Sequence, residues 1–577
     1  MPLFHNFKNS IKVKVNSKYY FLSVLCFCSF ILCSQPCPQL STYFGKSQID
    51  DFKGICKDHK GNIYAIGNTT SNDLPVTAGA FQTTYKANYE AFMVKFDSCG
   101  TLIWCTYFGT NGFDSGEKIA YSSSDSSIVI TGFTDGTDLD TTFNCFQPTS
   151  NGMNECFLAK FNLNGQAKWV TYFGGTNSDF SYAVTIDPKA NIIIGGTSLS
   201  PTIHTTTLSF QQNLVGAVDA FITRFNKNGQ LKFSTFYGGS SAEDIHDVTT
   251  DVDGNIIGVG GSFSNNLNTS VGCLQPSSNG GMDIYVIKLD SVGNRLFSTY
   301  IGGSGVDDSY GVCTDPQKNI YLTGHTTSND FYKTAISHQT LIAGSNDNFC
   351  LKLTPTGTLV WSTIYGGSSF DLNVHCKIDA NNNIYSLINS QSNDFPMLGT
   401  ANYTVYNGSN EIVITKINSN GQLMWSSYKG GSGGEVPGDL VLFKNRIVIC
   451  GSSSSADFPV NAGNYQLTNS GQDDGFLTSI ASVININIGL INLAPQKCEP
   501  FLKNNSNNFY ELHIPCQQIK SVIVHDILGK QIQQSSVSDG IVEFESLGKN
   551  QLYFVSGLDL ANSKVFVFKL FLSDIGQ

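Results

Sequence analysis

The chain has 577 residues, of which 14% are charged and 41% hydrophobic, and its formal net charge is −11. It is too apolar for a disordered chain and too long for one ordinary core. The acidic balance argues against a nucleic-acid backbone as partner and is compatible with cations.

Residues 1–34 read as a signal peptide. Four lysines (Lys8, Lys12, Lys14, Lys18) and no acid stand ahead of an apolar run at 19–33, and Ser34 is a small residue suited to cleavage. The run is short for a membrane span, and Leu32 is bulky where lipid attachment at Cys33 needs a small neighbour. No later segment offers a transmembrane anchor. The expectation is an exported chain, secreted to the extracellular space or attached at the outer-membrane surface.

Residues 35–490 repeat. Gly45, Gly109, Gly174, Gly238, Gly302, Gly366 and Gly430 each close an aromatic segment, at intervals of 64 or 65 residues. One supersecondary unit is therefore copied seven times. In the unit after Gly302, YGVCT (310–314), IYLTG (320–324), NFCLKL (348–353) and TLVWSTIY (358–365) read as strands a to d. Turns rich in Gly, Asn, Asp and Pro separate them. Seven such antiparallel sheets arranged radially make an all-β, seven-bladed β-propeller; a β-solenoid is the rival. The array begins with an orphan d strand, so Ser41–Phe44 is expected to complete the seventh blade, with 484–488 as the alternative.

Units such as STYIGGSGVDDSYGVCTDPQKNIYLTGHTTSNDF resemble the propeller repeat of secreted bacterial proteins, the SBBP family. The resemblance covers roughly residues 41–480 and rests on STYxGG, the Asp/Asn-rich turn, IYxxG and SNDFP; units two to four lack SNDFP. It implies a fold and an exported location but no reaction.

Uniform register turns recurrent slots into rings. An acid stands five residues after each marker glycine: Asp50, Asp114, Asp179, Glu243, Asp307, Asp371 and Glu435. These acids should circle the channel mouth, either as oxygen ligands for Ca²⁺ or another cation, or as caps on backbone N–H groups. A basic ring (Lys95, Lys160, Arg224, Lys288, Lys352, Lys416) lies toward the opposite face, beside Asp58, Asp187, Asp251, Asp315 and Asp379. Weak, exposed ion pairs are expected there. Trp104, Trp169, Trp361 and Trp425 share one slot with Phe233, Phe297 and Leu40, which marks packing between blades. DVDGN and DHKGN read as Asx turns, because the distal glutamate of a calcium loop is missing.

No catalytic residue can be named: no histidine recurs with the repeat, and no elbow, zinc or phosphate-loop motif occurs. The longest connections join strands b and c, on the same face as the acidic ring. Asp73, Tyr85, Tyr89, Asp330, Tyr332, Asp394 and Tyr403 are the candidate ligand-binding residues of that face. The reading favours a non-enzymatic scaffold that binds a polysaccharide or protein ligand at the cell surface. A secreted carbohydrate-active hydrolase or lyase using loop-face carboxylates, or a structural surface-layer component, is the alternative.

Thirteen cysteines follow the leader without a zinc-type CxxC pair. They read as small buried residues, with Cys145–Cys156 and Cys498–Cys516 as candidate disulfides. Residues 495–577 lose the period and read as a small β-sandwich. VIVHDILGKQI, QLYFV and VFVFKL resemble the C-terminal sorting domain of the type IX secretion system, which implies the secretion machinery as a partner. The usual proline-asparagine-proline entry is replaced here by Cys498-Glu499-Pro500.

Overall fold

The computed structural model describes residues 40–481, apart from 87, 400–402, 444–445 and 462, together with strand segments between 489 and 572. Seven four-stranded antiparallel sheets follow one another. The first comprises Asp50–Lys57, Ile63–Thr69, Glu90–Phe96 and Leu102–Phe108, hydrogen-bonded in sequence order. Strands b and c are buried along nearly their whole length because each is covered by the neighbouring blades on both faces. The a strands of adjacent blades pack on one another around the ring, so they are innermost.

Closure follows the lending arrangement. Ser41–Phe44 pairs antiparallel with Asp474–Ala481, in the order Ser41–Phe44, Asp474–Ala481, Arg446–Ser453, Glu435–Leu442. The seventh blade therefore takes its outer strand from the start of the array. Residues 484–488, the alternative, lie outside the described residues.

The STY part of the repeat has a mechanical role. Tyr107 donates its hydroxyl proton to Ser71 O (2.8 Å) and accepts from Leu74 N–H (3.0 Å), which pins the start of the long b–c connection to strand d. Tyr43, Tyr172, Tyr300 and Tyr428 make the same contacts in their blades. A buried phenol that both donates and accepts leaves no unsatisfied polar atom.

On the opposite face, the a–b turns are Asx turns: Asp58 Oδ1 accepts from Lys60 N–H and Asn62 N–H at 2.8 and 2.9 Å. Trp104, Trp169 and Trp361 donate their indole N–H to Leu163, Lys227 and Ser419 carbonyls in the c–d turn of the next blade. The tryptophan slot is a joint between blades. The basic ring corrects the expectation of exposed pairs. Lys160–Asp125 (2.7 Å), Arg224–Asp187 and Lys288–Asp251 (3.0 Å) are ion pairs whose basic side chains are almost wholly buried. Their aliphatic stems fill the joint while each head group also bonds a carbonyl of the next blade.

Cys145 and Cys156 are not bonded to each other, since both are free thiols; Cys156 is buried in strand c. Cys99 is disulfide-bonded, and Cys498 and Cys516 lie outside the described residues. Beyond Ala481 the backbone pairs into a five-stranded and a three-stranded antiparallel sheet, the longest strand being Lys564–Leu572. Of these strands, Ser521–His525, Gln551–Leu558 and Lys564–Leu572 fall on VIVHDILGKQI, QLYFV and VFVFKL.

Candidate functional site

The marker glycines stand between carboxylates. At the junction of blades two and three, a Cβ on Gly174 would lie 2.2 Å from Glu155 Oε2 and 2.6 Å from Asp179 Oδ2. On Gly430 it would meet Glu411 and Glu435 at 2.2 and 2.3 Å. Asp179 opens strand a and is the acid of the predicted ring. Glu155 opens strand c of the preceding blade and belongs to a second ring, Glu90, Glu155, Asp219, Asp283, Asp347, Glu411 and Asp474. Sequence reasoning missed that ring, although six of its members stand 19 residues before a marker glycine, as regular as the first.

All fourteen carboxylates are buried, thirteen of them completely. The first-ring acids do not line the open mouth. Each turns into its own blade, accepting an N–H from the d–a connection and hydroxyls from the end of strand b. Asp307, for example, accepts from Gly303 N (2.7 Å), Ser328 Oγ (2.8 Å) and Thr326 Oγ1. The second-ring acids accept from the b–c connection, and all but Glu411 also accept from a glutamine (Gln82, Gln147, Gln211, Gln275, Gln339 or Gln466). The oxygen of that glutamine in turn accepts the N–H of the marker glycine. Burial and the facing carboxylate push Glu90, Glu155 and Glu411 up to about 7, and Asp307 and Asp474 up to about 6. Among the described residues, no three His, Cys, Asp or Glu side chains converge as a metal site requires.

The candidate loop-face residues separate into two roles. Asp73, Asp330 and Asp394 staple the b–c connection to the d–a turn, each accepting from a serine N–H and Oγ–H (Ser47, Ser304, Ser368). Tyr85 packs on Tyr107, Tyr332 packs on the blade core, and Tyr403 accepts from Lys429 Nζ. These residues build loops. Only Tyr89 reaches the channel mouth, where its ring stacks on Phe113 at 4.3 Å.

From that stack an aromatic arc continues around the mouth. Phe113 meets Phe133 at 6.1 Å, Phe133 meets Phe180 at 4.9 Å and Tyr182 at 6.3 Å. Phe113 is 41% exposed, and Phe133, Phe180 and Tyr182 are half-buried. Phe113 precedes the acid of blade two, Phe180 follows that of blade three and Phe133 is the penultimate residue of a b strand, so all stand at the loop-face end of the inner wall. Glu117 and Asp244 lie close enough to Tyr182 to add to the effect of burial and hold its hydroxyl well above the ordinary range. Across blades four and five, His246 stacks on Tyr310 at 4.1 Å and bonds Asp308 Oδ2 through Nε2 at 3.1 Å. Burial favours neutral His246, but Asp308, Asp244 and Asp247 outweigh it and raise its pKa.

Deeper along the inner strands, ionic groups from four blades meet. Asp439 lies 3.3 Å from Lys118 Nζ and 3.3 Å from His375 Nε2, and His375 Nδ1 lies 3.5 Å from Asp247. Lys377 Nζ donates to His375 Nε2 at 2.7 Å. Burial, with Lys118 and Lys377 nearby, keeps the imidazole neutral despite Asp439. Burial opposes ionisation of Asp439, but with His375 neutral the facing ammoniums of Lys118 and Lys377 outweigh it and hold its carboxyl low. Asp439→Asn would leave two ammoniums with Asp247 as the facing anion. Its expected cost is about 3 kcal/mol, measurable as a lower urea midpoint at an unchanged m-value.

The beta-propeller repeat model SBBP matches residues 296–332. An uncharacterised WD repeat-containing protein of Acanthamoeba polyphaga mimivirus is 25% identical over 339 residues, covering 48% of this chain and 24% of the viral protein. The regulatory protein FlaEY of Caulobacter vibrioides is 24% identical over 210 residues, covering 34% of this chain and 21% of its own. The chain thus spans less than a quarter of the length of either relative. A solved mutant of puromycin hydrolase is 8% identical with a TM-score of 0.39, over 81% of this chain and 58% of that one. The chain is a seven-bladed β-propeller protein carrying an SBBP-type repeat.

Proposed function

We propose that this propeller is an exported, non-enzymatic binding protein that takes a polysaccharide or protein ligand at the loop-face mouth of its channel. The observation that carries the reading is the arc Tyr89, Phe113, Phe133, Phe180 and Tyr182, standing above ionic groups that knit four blades together. Aromatic faces held half-exposed on a rigid wall suit the apolar face of a sugar or the side chains of a peptide. The signal-like leader, the Cys99 disulfide and the sorting-domain-like tail support export, with the secretion machinery and the cell surface as partners.

The test mixes the full chain with insoluble polysaccharides and a peptide library, following depletion of protein and release of new reducing ends. Expected is retention without new ends, weakened at least tenfold in Phe113→Ala/Phe180→Ala. Retention indifferent to that double change would sink the site. The second reading, a hydrolase or lyase, draws on the His246–Asp308 pair, which has the groups of an acid–base couple. New reducing ends that disappear in His246→Gln would establish it. Self-association without any ligand would favour a structural surface-layer role.

A further inference from the structure

We propose that Cys313 and Cys376 are a disulfide-forming pair that cross-links blades five and six when the chain meets a small-molecule disulfide. Cys313 lies on the inner strand Asp307–Thr314 and Cys376 on the adjoining Asp371–Ile378. Their sulfurs are 3.8 Å apart, in van der Waals contact. Neither belongs to the channel mouth, so the pair stands apart from the binding site.

The approach is made possible by a missing side chain. A Cβ on Gly311 would fall 2.9 Å from Cys376 N and 3.0 Å from Cys376 Sγ. Glycine at this point lets the inner strand of blade six settle against that of blade five until the two sulfurs meet. Both thiols are buried, at 7% and 1% exposure. The other inner-strand cysteine, Cys56, belongs to a separate core cluster shared by blades one and two. Cys350, on strand c of blade five, is in the same cluster as the pair and is the competing partner.

The chemistry is thiol–disulfide exchange. One thiol loses its proton to solvent, and its thiolate attacks an external disulfide, releasing one small thiolate and leaving a mixed disulfide. The second cysteine, likewise deprotonated, attacks the protein sulfur of that bond and expels the second small thiolate. The protein loses two hydrogens and two electrons; the external disulfide gains them as two thiols. The contact with Cys376, and burial after it, disfavour the thiolate of Cys313, and burial shields the folded pair, so exchange belongs to folding or to local opening of the ring.

The experiment refolds the full chain in mixed oxidised and reduced glutathione, blocks free thiols and maps peptides by mass spectrometry. A linked peptide joining Cys313 to Cys376, lost on reduction, is the expected result. The linked form should melt roughly 5 °C higher, because the bond closes a long loop. Recovery of both cysteines as blocked thiols from refolded protein would overturn the proposal. So would a Cys350 linkage to either cysteine in place of this one. Cys350→Ser serves as the second variant: it removes the competitor, and the Cys313–Cys376 peptide should persist in it.

Discussion

A chain lacking residues 40–44 is expected to lose its cooperative fold. Leu40, Tyr43 and Phe44 are wholly buried, and at roughly 2 kcal/mol for each buried large side chain their removal costs an amount comparable with the net stability of many domains. The loss is not confined to one blade. Ser41 Oγ bonds Thr478 Oγ1 at 2.9 Å and the Tyr43 hydroxyl bonds Ser455 O at 2.6 Å, both within blade seven. Phe44 meanwhile packs on Phe52, Phe92 and Phe96 of blade one. The segment is the clasp between the first and last blades, and without it Asp474–Ala481 loses its outer partner strand and Phe52, Phe92 and Phe96 lose their cover. The milder Tyr43→Ala should cost about 3–5 kcal/mol, read from denaturant unfolding. A synthetic peptide spanning residues 38–46, added to the truncated chain, should restore part of the transition. Unchanged melting of the truncated chain would show that the ring closes by other means.

Lowering the pH from 8 to 5 is expected to stabilise the ring. Glu90, Glu155 and Glu411 are raised to about 7, and Asp307 and Asp474 to about 6, by burial and by the carboxylate across the marker glycine. A carboxyl raised on folding binds more protons in the native state than in the unfolded chain between its two pKa values. Stability is therefore full below the unfolded value near 4 and is lost as pH climbs through 6 to 7. Asp439 and Asp125 are shifted the opposite way, but they titrate below that window. Lys429, lowered to about 7 by burial despite Glu411 and Glu435, works the other way from pH 7 upward and offsets part of the fall toward pH 8. His246, raised, adds in the same direction as the acids, whereas His375, held neutral by burial, opposes them as pH falls below the ordinary histidine range. The melting temperature should fall by roughly 5–10 °C from pH 5 to pH 8. Glu155→Gln should flatten the profile, because an amide sheds the charge while its oxygen keeps the bonds from Asn151 N–H and Gly152 N–H, losing only the one from Gln147. A midpoint that rises with pH would refute the reading.

The architecture was legible because it is written seven times. A fixed interval between glycines reports a unit that must stack identically, and strand boundaries follow from alternation and turn residues. The purpose of the glycine was not legible, because it depends on two carboxylates brought from different strands and different blades. The slot of Glu155 repeats as faithfully as that of Asp179, yet its meaning appears only when both face Gly174. The channel mouth was hidden for the opposite reason. Phe113, Phe133, Phe180 and Tyr182 occupy positions that differ from blade to blade, so no period announces them. His246 and His375 looked incidental for lack of recurrence, yet each stands where the ring departs from its own symmetry. Recurrent slots hold this fold together, and individual ones give it a face.

The clasp also gives the ring a polarity. Leu40 enters the closing strand, and Ala481 ends its partner, at the same end of blade seven, where Ser479 N–H bonds Leu40 O. That end is remote from the b–c connections, since Phe44 and Asp474 stand at the loop side of the same pair. The chain therefore enters the ring at Leu40 and leaves the seventh blade at Ala481 on the face away from the aromatic mouth, so both junctions leave that mouth unobstructed.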